Sequence, residues 1–234
     1  MKFLHLADLH LGKRVNGFDM LEDQRFILEQ ILTLCEKHGV EAVVIAGDIY
    51  DTPVPPAAAC TLLDWFLTQL AARRIPVLAV SGNHDSAERL DFASSLLAEQ
   101  NVHIAGRFTG CPKQVVLNDR HGPIEFTLLP FVRAATVRHY LPDADITDHD
   151  SAVGAALAKR LDKKFVDLDA EIERRTGHNI PDIFAQEGED AFRRYEADVL
   201  AEVAKSNSQV IACGGGVIKS PANTRALRQN GPVL

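Results

Sequence analysis

Nowhere in the chain do about 18 apolar residues run together, so no membrane-crossing helix is expected. The start, MKFLHLADLH, has neither the long apolar core nor the cleavage site of a secretory leader. Cysteine is scarce. Cys35, Cys60, Cys111 and Cys213 show no C-x-x-C spacing and no dense framework, which leaves reduced thiols in a soluble, cytoplasmic protein. Positive charge is short too: 25 Lys and Arg stand against 32 Asp and Glu, a net of −7. A strongly basic nucleic-acid binder is excluded, although a nuclease holds DNA with local patches and metal ions rather than net charge. Linkers rich in Gly, Ser or Pro, internal repeats and low-complexity tracts are also missing. What is present is 46% apolar residues in 234, enough for one large core or two modest ones.

The first half alternates strands and helices. The apolar run 2–7 ends at Asp8 and suits a buried strand. In the following helix Leu21, Ile27, Ile31 and Leu34 have helical spacing, acidic residues come early, Lys37 and His38 come late, and Gly39 is placed for a left-handed cap. Strands are predicted at 41–46, 76–81, 102–105, 113–117 and 124–130, with helices over 57–72 and 89–99. Strands separated by helices predict an α/β fold whose first strands are parallel.

Chemistry-bearing residues sit where three of those strands end. Asp8 and His10 follow the first, Asp48 and Asp51 the second, and Asn83, His84 and Asp85 the third. Ligands of open α/β sheets gather beyond the carboxyl ends of strands, so these groups should converge. Carboxylate, imidazole and amide oxygen together suit Mn²⁺, Fe²⁺ or Zn²⁺. A two-metal centre clamps the attacking and leaving oxygens of a phosphate ester and supplies a hydroxide at neutral pH. D-L-H alone is common, GD-x-x-D alone could cap a helix, and GNHD alone could be a turn. All three in order after apolar strands make a metal site the better reading.

HLADLHLGKRV, VVIAGDIYDTPVPP, VLAVSGNHDSAERL and TLLPFVR resemble the SbcD nuclease subunits of SbcCD complexes, calcineurin-like metallophosphoesterases related to Mre-type nucleases. The resemblance covers residues 1–150 and implies a dimanganese DNA exo- and endonuclease that works with an SbcC-type ATPase coiled-coil subunit. It implies that Asp8 and His10 hold one metal, Asp48 bridges the pair, and Asn83 holds the second. His84 would then help protonate the leaving group, with Asp85 orienting it by hydrogen bonding. Two further motifs of that family, a lone His at a strand end and a G-H-x-H pair, do not occur in 151–234. His103, His121, His139 and His149 read as surface or loop residues. A site short of those imidazoles, without the family's capping domain, is expected to be impaired.

The stretch ITDHDSAVGAALAKR (146–160) looks like the start of a nucleotide-kinase helix without the loop that normally precedes it. In the register G-x-x-x-x-G-K-[ST], Ser151 takes the last place, but Asp150 stands for the Lys and His149 and Ala144 for the glycines. From Ser151 onward FVDLDAEIERRTG, IFAQEGEDAFRRYE and VIACGGGVI resemble shikimate kinase. That resemblance implies Ser151 and Asp167 near Mg²⁺, Asp169 and Arg193 on shikimate, and Gly214, Gly215 and Gly216 admitting the substrate. The plainer reading is that Asp167 and Asp169 cap a helix while Arg193 and Arg194 lie on a solvated face. Predicted elements are helix 151–161, strand 164–167, helices 170–176 and 188–204, and strand 208–212, with a further strand beginning at GPVL.

The expected fold is therefore α/β: a truncated metallophosphoesterase αββα sandwich (1–150), then a partial P-loop-kinase-like parallel fragment (151–234) lacking the P-loop, lid and adenine-binding part. The sheet of the second piece should carry a gap where the strand before Ser151 is absent. By family the chain reads as a Mn²⁺-dependent nuclease of DNA repair and recombination. The alternatives are a shikimate kinase-type protein and a non-catalytic chimera. Kinase activity, which needs Mg²⁺ and ATP, is not expected, because ADITDHD is acidic where a phosphate cradle belongs.

Overall fold

The computed structural model describes residues 1–230, divided into two compact units between Phe131 and Val132. The strand expected to begin at GPVL lies outside the described residues. The first unit contains, in chain order, β1 (Phe3–Leu6), the short pair β2 (Arg14–Val15) and β3 (Phe18–Asp19), α1 (Leu21–His38), β4 (Ala42–Ala46), α2 (Ala57–Ala72), β5 (Val77–Val80), α3 (Ala87–Asp91), α4 (Ser94–Ala98), β6 (Val102–Ala105), β7 (Lys113–Asp119) and β8 (Gly122–Leu128).

A four-stranded sheet in the order β1-β4-β5-β6 is parallel throughout. Its strands are near-continuous apolar runs because both faces are covered. Val43, Ile45, Val77 and Ala79 point to the side of α1 and α2, with Phe66 and Leu70 at the centre of that core. The alternate residues Ala42 and Leu78 point the other way, onto Val115, Leu117 and Leu128 of the antiparallel β7–β8 hairpin. This period-two division builds helix, parallel sheet and hairpin layers. The expectation of an α/β fold with a parallel sheet is met.

Two details differ from expectation. On α1 the buried residues are Leu28, Ile31, Leu32 and Cys35, an i, i+3, i+4, i+7 stripe, whereas Ile27 and Leu34 are exposed. The helix predicted over 89–99 is two short helices, broken at Ala93, whose φ of 58° lies in the left-handed region. The expected cap at Gly39 is present, with φ 59°.

The second unit contains α5 (Ala134–Tyr140), α6 (His149–Leu161), β9 (Lys164–Asp167), α7 (Leu168–Thr176), α8 (Ile180–Gln186), α9 (Glu189–Val203), β10 (Gln209–Ala212), a single 3-10 turn at Val217–Lys219, and α10 (Pro221–Asn230). Among the described residues its sheet has two strands, β10 and β9, paired in parallel. Leu168, Ile172, Ile183, Phe192, Val199 and Leu200 form its core. The unit begins at Val132 rather than Ser151 because α5 packs on α6. The sequence junction at Asp150–Ser151 lies inside α6. Asp148 caps that helix, its carboxylate accepting the Ser151 backbone N–H at 2.9 Å, while Ser151 Oγ accepts the Asp148 N–H at 3.0 Å, a complete capping box.

Candidate metal centre

The loops after β1, β4 and β5 come together at one edge of the first sheet, as ladder geometry requires once the three strands are paired in register. Asp8 N–H donates to the Gly47 carbonyl at 3.3 Å and His10 N–H to the Asp48 carbonyl at 2.9 Å. Asp8, His10 and Asp48 all have left-handed φ, 56°, 44° and 48°. Asp and His are among the non-glycine residues that tolerate this region, and such backbone persists where surrounding structure over-determines it. Gln24 of α1 fixes the first loop, donating to the His10 carbonyl at 2.7 Å and accepting from Gly12 N–H at 2.9 Å.

Donor atoms of Asp8, His10 and Asp48 lie within 4.8 Å of one another. His10 Nε2 is 3.7 Å from Asp8 Oδ1 and 3.9 Å from Asp48 Oδ2. Asp48 is buried to 9% exposure, and its Oδ1 accepts the His84 N–H at 3.0 Å. A buried carboxylate beside a second carboxylate and an imidazole is a donor set that suits a divalent cation such as Mn²⁺, and the residues fit the ion. Asn83 is exposed in the bend after β5.

The expected pairing of Asp85 with His84 is corrected. Asp85 accepts three backbone N–H groups, from Ile49 at 3.0 Å, Tyr50 at 2.8 Å and Gly82 at 2.8 Å. Its carboxylate ties the β4 and β5 loops together, because main-chain donors that leave the sheet must find acceptors. The ring of His84 instead places Nδ1 3.0 Å from the Asp51 carbonyl oxygen. Asp51, which the motif placed here without a role, sets Oδ1 3.2 Å from His10 Nδ1. Of the histidines read as surface or loop residues, His103 differs: it lies half-buried on β6, where burial and then Lys113 push its pKa down.

In the second unit three of the residues expected in kinase-like roles, Ser151, Asp167 and Arg193, have polar partners within the fold. Ser151 is fully buried in the capping box, so its hydroxyl is committed to Asp148 rather than to a cation. Asp167 caps α7, accepting from Asp169 N–H at 2.9 Å and Ala170 N–H at 3.1 Å, as the plainer reading held. Burial pushes the carboxyls of Asp167 and Asp169 up, in Asp169 with help from the charge of Asp167. Arg193 donates to Glu196 at 3.0 Å and to Glu189 at 3.2 Å. A side chain on Gly216 would meet its guanidinium at 2.5 Å, while one on Gly214 would sit 3.6 Å from Asp169 and one on Gly215 would meet nothing. Glu196, at 2% exposure, carries no sequence signal beyond standing three residues after Arg193 on a helix. A cavity of about 780 Å³ lies between α6, β9 and α7; it is lined by Asp167 but not by Asp169, Arg193 or the three glycines.

Residues 151–234 match the shikimate kinase family model. Similar solved structures are a shikimate kinase from Acinetobacter baumannii in complex with shikimate and a shikimate kinase from Bacteroides thetaiotaomicron. The first is 45% identical, covering 35% of this chain and 46% of that one, with a TM-score of 0.34. The second is 35% identical, covering 34% of this chain and 45% of that one, with a TM-score of 0.33. The chain thus spans about half the length of the shikimate kinases it matches. Residues 1–149 match the model of the calcineurin-like phosphoesterases, a family of metal-dependent hydrolases. The double resemblance read from the motifs is borne out. With the larger part of its length in that match and the strand-end carboxylates and imidazoles gathered as described, the chain belongs to the calcineurin-like phosphoesterase family.

Proposed function

We propose that the first unit is a Mn²⁺-dependent phosphodiesterase of the SbcD nuclease type, acting on DNA beside an ATPase coiled-coil partner. The convergence of Asp8, His10 and Asp48 carries this reading. Three carboxylates, those of Asp8, Asp48 and Asp51, surround His10 and would repel a phosphodiester anion, so hydrolysis here depends on a bound cation. That ion, when bound, polarises the phosphate and lowers the pKa of its water. Asp8, His10 and Asp48 would hold it, and Asn83 would hold a second ion that Asp48 shares. His84 meets the leaving oxygen through Nε2, because the Asp51 carbonyl only accepts and keeps the proton on Nδ1. DNA as substrate, a role in repair and recombination, and the partner subunit are supported by the likeness of HLADLHLGKRV and VLAVSGNHDSAERL to that family.

The test is hydrolysis of bis(p-nitrophenyl) phosphate and of a single-stranded oligonucleotide with Mn²⁺. Slow turnover of both above a metal-only blank, abolished by EDTA, is expected. Turnover of neither overturns the proposal, and turnover of the small diester alone removes DNA from it.

The second unit supports a second reading, a shikimate-binding module without catalysis. Asp169 and Arg193 both face the glycine stretch 214–216, and a guanidinium recognises a carboxylate in a fixed fork. Titration calorimetry with shikimate should show binding that Arg193→Ala weakens about tenfold or more, the loss of one charge-assisted contact. Identical flat traces for both proteins end that reading.

A further inference from the structure

His10 stands between two sets of donors. Its Nε2 faces Asp8 and Asp48 at 3.7 and 3.9 Å. Its Nδ1 is 3.2 Å from Asp51 Oδ1, yet this buried nitrogen makes no hydrogen bond, since the contact is short but badly aligned. Beyond it the His84 ring stands edge-on, with centroids 4.9 Å apart and planes at 86°. One ring nitrogen of each histidine and one oxygen of Asp51 lie within 4.8 Å of one another. Lys13 Nζ is 4.0 Å from Asp51 Oδ1 on a half-exposed side chain that is free to swing away.

We propose that His10, Asp51 and His84 form a second cation position, selective for Zn²⁺, which competes with the Asp8–His10–Asp48 position for the same imidazole. Two imidazoles and one carboxylate are the donor set of a three-ligand zinc site with an open fourth position. Two carboxylates and one imidazole favour the harder Mn²⁺. A neutral imidazole has one lone-pair nitrogen. A ring that offers Nε2 to the first position keeps its proton on Nδ1, and a ring that offers Nδ1 to the second withdraws from the first. Zinc bound there also engages His84, the group assigned to the leaving oxygen. Zn²⁺ is thus an antagonist of Mn²⁺ by ligand withdrawal. The competition rests on the manganese reading of the first position, whereas the zinc position stands on its own three residues.

The full chain, stripped of metal, is titrated with Zn²⁺ and with Mn²⁺ by calorimetry, and bound Mn²⁺ is followed by electron paramagnetic resonance as Zn²⁺ is added. Asp51→Asn and His84→Ala should each lower Zn²⁺ affinity by about tenfold or more while leaving Mn²⁺ affinity nearly unchanged. Asp8→Asn should do the reverse, and His10→Ala should lose both ions. In the unaltered protein, added Zn²⁺ should release bound Mn²⁺. Zn²⁺ affinity unchanged in both Asp51→Asn and His84→Ala overturns the second position. Equal loss of both ions in Asp51→Asn also overturns it, since Asp51 would then only orient His10 for the first. Zinc binding that is intact and sensitive to Asp51, with no manganese binding at all, overturns the competition and the hydrolase reading but upholds the zinc position. All variants are compared by thermal melting, so that unfolding is read separately from ligand loss.

Discussion

Asp48→Asn should abolish Mn²⁺ binding and phosphodiester hydrolysis together while leaving the fold intact. Loss of an outer partner of a metal ligand costs about 10 to 100-fold in affinity, so neutralising a ligand itself should exceed the upper end of that range. Asp48 is the most buried of the carboxylates here, with Oδ1 on the His84 N–H and Oδ2 facing His10. An asparagine amide has the same shape, and its carbonyl oxygen can take over the His84 hydrogen bond, which is why little change in melting is expected. It lacks the negative charge that holds a cation against the cost of desolvation. The paired readout is Mn²⁺ titration and turnover against a metal-only blank. Unchanged turnover would show that any hydrolysis occurs elsewhere.

A larger effect on stability is expected from Gly82→Ala. A Cβ at this position would lie 2.0 Å from Asp48 Oδ1 and 2.2 Å from the Asp48 backbone nitrogen. The carboxylate could rotate away, but the nitrogen belongs to the loop leaving β4, whose next two N–H groups are held by Asp85. Relief therefore requires the β4 and β5 loops to part, breaking the clasp and moving His84 and Asp48 together. The expected cost is about 3 kcal/mol, the upper end of ordinary overpacking, with loss of Mn²⁺ binding in whatever remains folded. Gly215→Ala, where an added Cβ meets nothing within 4 Å, is the matched control and should be nearly neutral. Urea denaturation of both variants decides the matter; a Gly82→Ala midpoint equal to that of the control would refute the clash.

Much of the first unit was legible because its signals are local and periodic. Apolar runs such as AVVIA and VLAV are buried on both faces, and the motifs at their ends locate Asp8, His10, Asp48 and His84 without reference to distant contacts. What escaped depended on partners far away in sequence. Ile27 and Leu34 fit a helical stripe as well as Leu28 and Leu32 do, and only the position of the sheet chooses between them. Asp85 carries the same motif whether it orients a histidine or clasps two loops. The pairing of Gln24 with the His10 loop has no sequence signature. In the second unit, α5 escaped because its short, mixed sequence AATVRHY earns its helix from α6. Asp148 reads as one more acid in a polar run until Ser151 is seen to complete its cap.

The placement of that cap has a practical bearing on taking the molecule apart. A gene fragment cut at codon 151, where the family match changes, would encode a chain whose first helix begins without Asp148 and without the α5 segment that leans on it. Its opening N–H groups would have only water to bind. A cut between codons 131 and 132 keeps the cap and the covering helix with the piece they stabilise. Family match and packing thus divide this polypeptide at different residues, and excision by homology alone would yield a damaged part.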